Sequence, residues 1–512
     1  MHAGKKLLYN TLLLTGASLF LRAVHVRFQI YLAGVIGASG VGLFSLIASA
    51  HMLFITISVS GIRFATTRLV SEELGQGNTK AARRVMGRCI AHALGFGTLA
   101  CIALSFFASW ISTSWISDPQ AYLPLRILAI SLPFIAMIST LNGYFVAVGR
   151  AYKSASISVI EALTRVSVII TALTLFPPEN LEAALITLVI GGVFAEILSA
   201  CILLSLFFHD RRKLSKHGAS GENLTRRLLH ISMPLAASTY ARNALNTLQH
   251  MLIPRGLRQH GASPEQSLAS YGLVHGLALP IILFPSALFY SLSELIIPEL
   301  TAAQMKGDQK RISYLVSKLL RLSIYVSVGL SGLFFTFSLA LGELIYPATH
   351  GVGPYIRILS FIMPIMFLDA ITDGMLKGLG QQVYSMGVNI VDSLVSVLLV
   401  YLLLPIFGVS GFLFMVYFTE AFNFAFSLGR IGKITVISLS LGDLVRPIVS
   451  IAAATQLTTL ALRHASLALS PTILSLVLHF FLAGLLYFGF LVLLGCIRQQ
   501  DFSWAKRLFV SS

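Results

Sequence analysis

Charge is what this sequence has least of. Of 512 residues only 11% are Asp, Glu, Lys or Arg, where a soluble globular chain carries about a quarter. Hydrophobic residues make up 56% of the chain and the mean hydropathy is +0.82. A water-soluble fold of this size cannot hide so much apolar surface, so lipid must be part of the solvent. Cysteine is scarce as well. Cys89, Cys101, Cys201 and Cys496 form no CxxC pair, which excludes a disulfide framework and a thiolate metal site and leaves four small core residues. No G-x-x-x-x-G-K-[ST] loop occurs, so neither a nucleotide partner nor ATP-driven transport by this chain is expected. G-x-S-x-G, H-E-x-x-H and comparable clusters are missing too, which argues against an enzyme; no catalytic residue, metal or cofactor is expected. The net charge of +17 would point to nucleic acid in a soluble protein. Here the basic residues sit mainly in short loops between apolar runs, so they report topology and no nucleic-acid partner is expected.

What the sequence does have is long apolar runs. A bilayer core of ~30 Å takes roughly 20 apolar residues in a helix. Runs of that length fall near 7–33, 41–62, 86–111, 122–148, 154–176, 183–208 and 227–253, then near 269–297, 317–341, 354–377, 385–405, 409–429, 444–465 and 472–497. The expected fold is all-α, a polytopic membrane protein of about fourteen transmembrane helices. Lys5 and Lys6 precede the first run, which continues to about Ala33 without an A-x-A cleavage site, so a retained first helix is expected. Pro133, Pro234, Pro280, Pro285 and Pro364 lie inside spans, where neighbouring helices re-satisfy the backbone and bends become available.

Lys and Arg set the orientation. With the N-terminus in the cytoplasm, inside segments carry Lys5 and Lys6, then Arg68 to Arg88, Arg150 and Lys153, and the cluster from Arg211 to Arg227. Lys306 to Arg311, Lys377, Arg430, Lys433, Arg498, Lys506 and Arg507 continue the series. Outside segments carry only Arg126, Arg255, Arg258, Arg357 and Arg463, and Asp118, Glu179 and Glu182 fall there too. Both termini are expected in the cytoplasm of a bacterial cell, with the chain in its cytoplasmic (inner) membrane.

The chain also repeats itself. Ala17 to Arg22, continuing to Gln29, recurs as Ala237 to Arg242, continuing to Gln249, at a shift of 220 residues. Gly42-Leu43 recurs as Gly272-Leu273, and Pro133, Gly143 and Gly149 recur at a shift of 231 as Pro364, Gly374 and Gly380. Six spans per repeat give both halves one orientation, the parallel kind of internal duplication. The expected organisation is an N-lobe at 1–222 (helices 1–6), a C-lobe at 223–432 (helices 7–12), and 433–512 with helices 13–14 and a cytoplasmic tail. Two six-helix bundles facing each other imply a central cavity and alternating access. The extra pair either extends the cavity or packs against one lobe.

Candidate cavity residues follow from helical spacing. Ser18, Arg22, His25 and Gln29 fall within about a 60° sector of helix 1, with Arg27 turned away. Helix 7 places Ser238, Arg242, Asn246 and Gln249 on one face, flanked by Asn243 and His250. An arginine at mid-membrane costs on the order of 2.5–3.5 kcal/mol, so two at equivalent positions are not expected to face acyl chains. Either they bridge helices 1 and 7 structurally, or they line the cavity, where a guanidinium fork suits phosphate or carboxylate. Glu161 and Arg165 are one turn apart on helix 5 and form either a structural bridge or a coupling pair. His51, Glu196, Glu294, Asp369, Asp392 and Glu420 are weaker candidates for H⁺ or Na⁺ coupling, since each also suits an ordinary helix–helix contact.

Two stretches carry a resemblance. Ser60-Gly61-Ile62, Ala65, Arg68-Leu69-Val70-Ser71-Glu72-Glu73 and Gly77-Asn78 form one, and Gly143-Tyr144-Phe145, Gly149, Glu161 and Arg165 form the other. Both resemble the polysaccharide-flippase branch of the multidrug/oligosaccharidyl-lipid/polysaccharide exporter superfamily, as do the fourteen spans and the six-helix repeat. The resemblance implies a secondary transporter that moves a lipid-linked (polyprenyl-pyrophosphate) cell-wall or polysaccharide precursor, with membrane lipids and a coupling ion as further partners. It also implies a role for basic residues on helix 1. Arg22 fits the first such position, the second falls near Arg27 or Gln29, and Arg63 stands where the branch usually carries proline. The alternatives are a cation-coupled multidrug antiporter of the same superfamily, and a membrane-embedded glycosyl- or acyltransferase. The first needs cavity carboxylates and the second a catalytic cluster, and the sequence shows neither plainly.

Overall fold

The computed structural model describes residues 2–59, 61–76, 78–211, 224–464 and 473–496. Among them the chain is helix and turn throughout, with no strand. α1 (His2–Val59) carries the first two expected spans and breaks between them at Gly37, whose φ of 67° suits glycine alone at low cost. α2 (Ile62–Gly75) follows, and α3 (Thr79–Trp110) is the third span, continued by a π turn at Ile111–Ile116. The fourth span is two helices, α4 (Tyr122–Ala129) and α5 (Leu132–Ala147), with a 45° bend between them. α6 (Ala151–Leu175), α7 (Leu181–Arg211) and α8 (Leu224–Gln259) are spans five to seven. The eighth is shared by α9 (Pro264–Tyr271), a π turn at Gly272–Ala278, α10 (Leu279–Leu283) and α11 (Ser286–Met305), interrupted near Pro280 and Pro285.

α12 (Gln309–Ile345) is the ninth span, and α13 (Val352–Ser360) with α14 (Met363–Gly378), bent by 55°, the tenth. α15 (Gln382–Ile434) carries the eleventh and twelfth and breaks at Gly408 (φ 55°). α16 (Leu441–His464) and α17 (Ile473–Leu493) complete the series. Among the described residues nine helices are long and apolar enough to cross a membrane, or eleven with each bent pair taken as one span. Two of the nine are the glycine-broken α1 and α15, each carrying two of the runs read from the sequence; the run near 227–253 falls on α8, which is not among the eleven, and the helices together are consistent with about fourteen spans.

The internal repeat is built into the contacts. Both bent spans turn just before Pro133 and Pro364, which sit in the first turn of α5 and α14, where a missing N–H costs no helical bond. Gly149 (φ 72°) and Gly380 (φ 67°) make the two turns that follow, and in each the next N–H reaches back five residues: Arg150 to the Phe145 carbonyl and Gln381 to the Leu376 carbonyl, both at 2.8 Å. The Ser154 hydroxyl donates to Asn142 Oδ1 at 2.6 Å, and at a shift of 231 the Ser385 hydroxyl donates to Asp373. Asn78 caps α3 by accepting from the Ala81 N–H, and Asp308 caps α12 by accepting from the Arg311 N–H. Gly143 lies against the Arg63 backbone, and its equivalent Gly374 against Ser293.

The chain forms two compact units. One comprises Gly16–Phe28 and Leu43–Leu252. Its core joins Ile62, Leu69 and Val70 of α2 to Val85, Met86 and Ala93 of α3, Leu141 and Phe145 of α5, and Leu203 and Phe207 of α7, all buried. At one end of α7 the buried Asp210 accepts from Arg150 at 2.7 Å and from Lys153 at 3.4 Å. Arg227, in the first turn of α8, donates to Glu72 at 2.8 Å and Glu73 at 3.1 Å.

The other unit comprises Met1–Thr15, Gln29–Gly42 and Ile253–Ser512. Gly42 and Gly272, repeat equivalents, lie on each other: a Cβ on Gly42 would overlap the Leu268 carbonyl, and one on Gly272 the Ala38 carbonyl. Only residues without side chains allow two helix backbones so close. In the same unit α16 and α17 pack against α12. The Tyr487 hydroxyl donates to the Tyr325 carbonyl at 2.6 Å, the Tyr325 hydroxyl donates to Asp443 at 2.8 Å, and Gly329 makes room for the Tyr487 ring. Of the sequence alternatives for the extra pair, packing is thus observed. Cys89 and Cys496 are buried as expected, whereas Cys201 is exposed on α7.

Candidate functional site

Most of the polar residues singled out on helices 1 and 7 belong to one compact unit: Arg22 and His25 on α1, Arg242, Asn246 and Gln249 on α8. Gln29, buried, belongs to the other unit, and the side chains of Ser18 and Ser238 lie outside the described residues. So do Ser60 and Gly77 of the resemblance and most of the basic segments at 211–217 and 498–512.

The packing of α8 shows how its polar face is oriented. Three bonds fasten it to the second half of α1: Asn243 Nδ2 donates to Thr56 Oγ1 at 2.5 Å, Thr247 Oγ1 to the Ser49 carbonyl at 3.2 Å, and the Tyr240 hydroxyl to the Ile57 carbonyl at 3.4 Å. Tyr240, Asn243 and Thr247 share one face of the helix. At 100° per residue Arg242, Asn246 and Gln249 lie roughly a third of a turn from it. Arg242 is exposed, Asn246 and Gln249 half-buried; on α1 Arg22 is half-buried and His25 exposed, as is Arg27. An exposed arginine at mid-membrane is held at low cost only beside water or an anion, not beside acyl chains.

A second constellation lies in the same unit. Arg165 on α6 donates through Nη2 to Glu161, one turn before it, and to Glu196 on α7, each at 3.0 Å. The pair expected on helix 5 is therefore two thirds of a triad. Glu196 is the most deeply buried of the three, its side chain 11% exposed against 21% for Glu161 and 37% for Arg165. The Ser131 hydroxyl faces Glu196 and lies 3.3 Å from His51 Nε2. His25 and His51 are both close enough to Arg165 to feel its charge. Sequence reasoning placed Glu196 and His51 among weaker candidates without joining them to Arg165. The available signal was only that each is a polar residue within an apolar span, since the partner comes from another helix 31 residues away.

Comparison with known proteins agrees with this architecture. A family described as polysaccharide biosynthesis protein matches residues 7–304. Stage V sporulation protein B of Bacillus subtilis (strain 168) is 23% identical over 417 residues, 80% of each chain. Lipid II flippase MurJ of the same organism is 22% identical over 426 residues, 76% of each chain. A solved structure of lipid II flippase MurJ in an inward closed conformation shares the fold, with a TM-score of 0.71 and 13% identity, covering 94% of this chain and 98% of that one. The family match spans more than half of the sequence, and the chain belongs to the polysaccharide biosynthesis protein family, within the multidrug/oligosaccharidyl-lipid/polysaccharide exporter superfamily.

Proposed function

We propose that this protein is a flippase that moves a polyprenyl-pyrophosphate-linked cell-wall or polysaccharide precursor across the bacterial cytoplasmic membrane by alternating access. The observation that carries the reading is the placement of Arg22 and Arg242. They are equivalents of the internal repeat, they belong to one compact unit, and on α8 the arginine face is turned away from the face that packs. A planar guanidinium binds a phosphate oxygen pair through two parallel N–H bonds, and two of them match a pyrophosphate. His25, Asn246 and Gln249 supply further donors to the head group, and Gln29 extends the helix 1 stripe. The lipid tails stay in the bilayer while the charged head follows this polar path. By the internal repeat the lobes are 1–222 and 223–432, with 433–512 added to the second, and both termini lie in the cytoplasm. The similarity to lipid II flippase MurJ and the family match support this reading over a multidrug antiporter. A drug antiporter needs carboxylates to hold cationic cargo, and the stripes on helices 1 and 7 carry arginine.

The test is binding of a polyprenyl-pyrophosphate sugar to purified protein, with ordinary phospholipid as competitor. Arg22→Ala and Arg242→Ala each remove a charge-assisted contact of about 1.5–3 kcal/mol, roughly a ten- to hundredfold loss of affinity. Lysine at either position restores the charge without the fork and rescues only in part. Normal binding by both alanine variants, or a loss confined to membrane abundance, would show that the pair is structural.

A further inference from the structure

The triad on α6 and α7 has a charge that does not close. Two carboxylates share one guanidinium, which leaves one negative charge in excess inside the membrane-spanning part of the bundle. Glu196 carries the burden. It is 9% exposed, only one of its oxygens meets Arg165, and Oε2 is buried with no hydrogen-bond partner among the described residues. A buried, unpaired carboxylate oxygen is costly, and a proton on it removes both the charge and the vacancy of a donor. The neighbourhood suits a proton better than a metal ion, because the adjacent guanidinium repels a cation and offers no lone pair. From α6 Glu161 and Arg165 face the site, and from α1 His25 and His51 stand near it. The charge on α4, Arg126, is held instead on the Tyr122 hydroxyl. The Ser131 hydroxyl, which donates to the Leu128 carbonyl, also lies beside Glu196 and within 3.3 Å of His51 Nε2.

We propose that Glu196 is the proton-binding group through which transport is coupled to the proton gradient. The inference rests on the reading of the chain as an alternating-access transporter. Deprotonated Glu196 ties α7 to α6 through Arg165. When an O–H bond forms at Oε2, Arg165 is left to Glu161 on its own helix and the tie between the two helices slackens. The proton enters from outside and leaves to the cytoplasm as the bond breaks again, so nothing is oxidised or reduced. A differential contact of this kind is what lets a bound proton shift the balance between two conformations.

The experiment is pH-titrated infrared difference spectroscopy on the full chain in proteoliposomes. A carboxylic-acid C=O band, shifted by deuterium exchange, fades as pH rises in the parent protein. The component contributed by Glu196 is lost in Glu196→Gln and retained in Glu161→Gln, while other carboxyls of the chain, Asp369 and Glu420 among them, keep their own bands in both. Glu196→Asp, which keeps the acid should Gln disturb folding, shows the band at a displaced midpoint. A parent-minus-Glu196→Gln difference that shows no lost component, an unmoved midpoint in Glu196→Asp, or a lost component that responds to sodium chloride at fixed pH overturns the proposal. Polyprenyl-pyrophosphate sugar binding is measured on the same samples. Binding without a Glu196 band removes the proton site and leaves the flippase reading standing, whereas the band without binding leaves the proton site and removes that reading.

Discussion

Replacing Gly42 with alanine tests the tightest backbone approach in the fold. The added methyl would overlap the Leu268 carbonyl, an atom of a facing helix backbone that no rotamer change can move aside, with Gly272 N immediately beyond. Overpacking of this kind costs typically about 1–3 kcal/mol, and a backbone clash on a fully buried neighbour belongs at the upper end. Against it stands the gain of exchanging glycine for alanine inside a helix, up to about 1 kcal/mol. The net expectation is a loss of about 2 kcal/mol. Gly34, on the same α1 and with nothing within 4 Å of its would-be Cβ, is the control. Gly34→Ala keeps the propensity gain without the clash, so the two variants should differ by roughly 3 kcal/mol. Gly272→Ala meets the Ala38 carbonyl across the same interface, so the double variant should lose less than the sum, since the helices need separating only once. Thermal unfolding in detergent at one fixed scan rate ranks the variants, because membrane-protein melts report a rate as much as an equilibrium. If Gly42→Ala unfolds no lower than Gly34→Ala, the close approach is not what holds these helices.

Two further expectations can be checked independently. Cysteine accessibility or reporter fusions should place residues 211–217 and 498–512 in the cytoplasm and 118–122 outside; labelling of 211–217 from outside would reverse the orientation. Asp210→Ala should lower thermal stability by about 1–3 kcal/mol, because it strips the shared acceptor from Arg150 and Lys153 and leaves two cations facing. Arg150→Ala, which leaves Lys153 to hold the carboxylate, should cost under about 1 kcal/mol, and equal losses in the two variants would contradict that assignment.

The apolar runs were legible because a bilayer imposes one length on every crossing, so hydropathy alone located each of them. It located the ends poorly. Arg68, Glu72 and Glu73 made 62–75 read as the start of a loop, yet α2 is a helix there, since Ile62, Ala65, Leu69 and Val70 bury one face while Arg68 and Glu72 take the other, and the buried Glu73 is paired with Arg227. α11 runs on to Met305 and α12 begins at Gln309 for the same reason: helices continue into water beyond the apolar stretch. Proline marked the bends before α5 and α14 because its missing N–H and fixed φ act locally. The arginine stripes were legible through their 100° spacing. The triad was legible only in part, because Glu161 and Arg165 are neighbours in sequence whereas Glu196 arrives from another helix, and no local pattern records that meeting.

The duplicated turns provide a ruler. Positions 142, 149 and 154 find 373, 380 and 385 at a constant offset, with the serine-to-142 bond redrawn from 385 to 373 although Asn142 has become Asp373. Geometry has been copied faithfully while chemistry has been rewritten on it. Asp210 accepts from Arg150 in the first half, and 220 residues later Arg430 donates to Gln381, so donor and acceptor have traded places across one contact. Ser396 stands where Arg165 would recur, and Asp392 where Glu161 would. A fold assembled from two such drafts has one scaffold to keep intact and two interiors to edit.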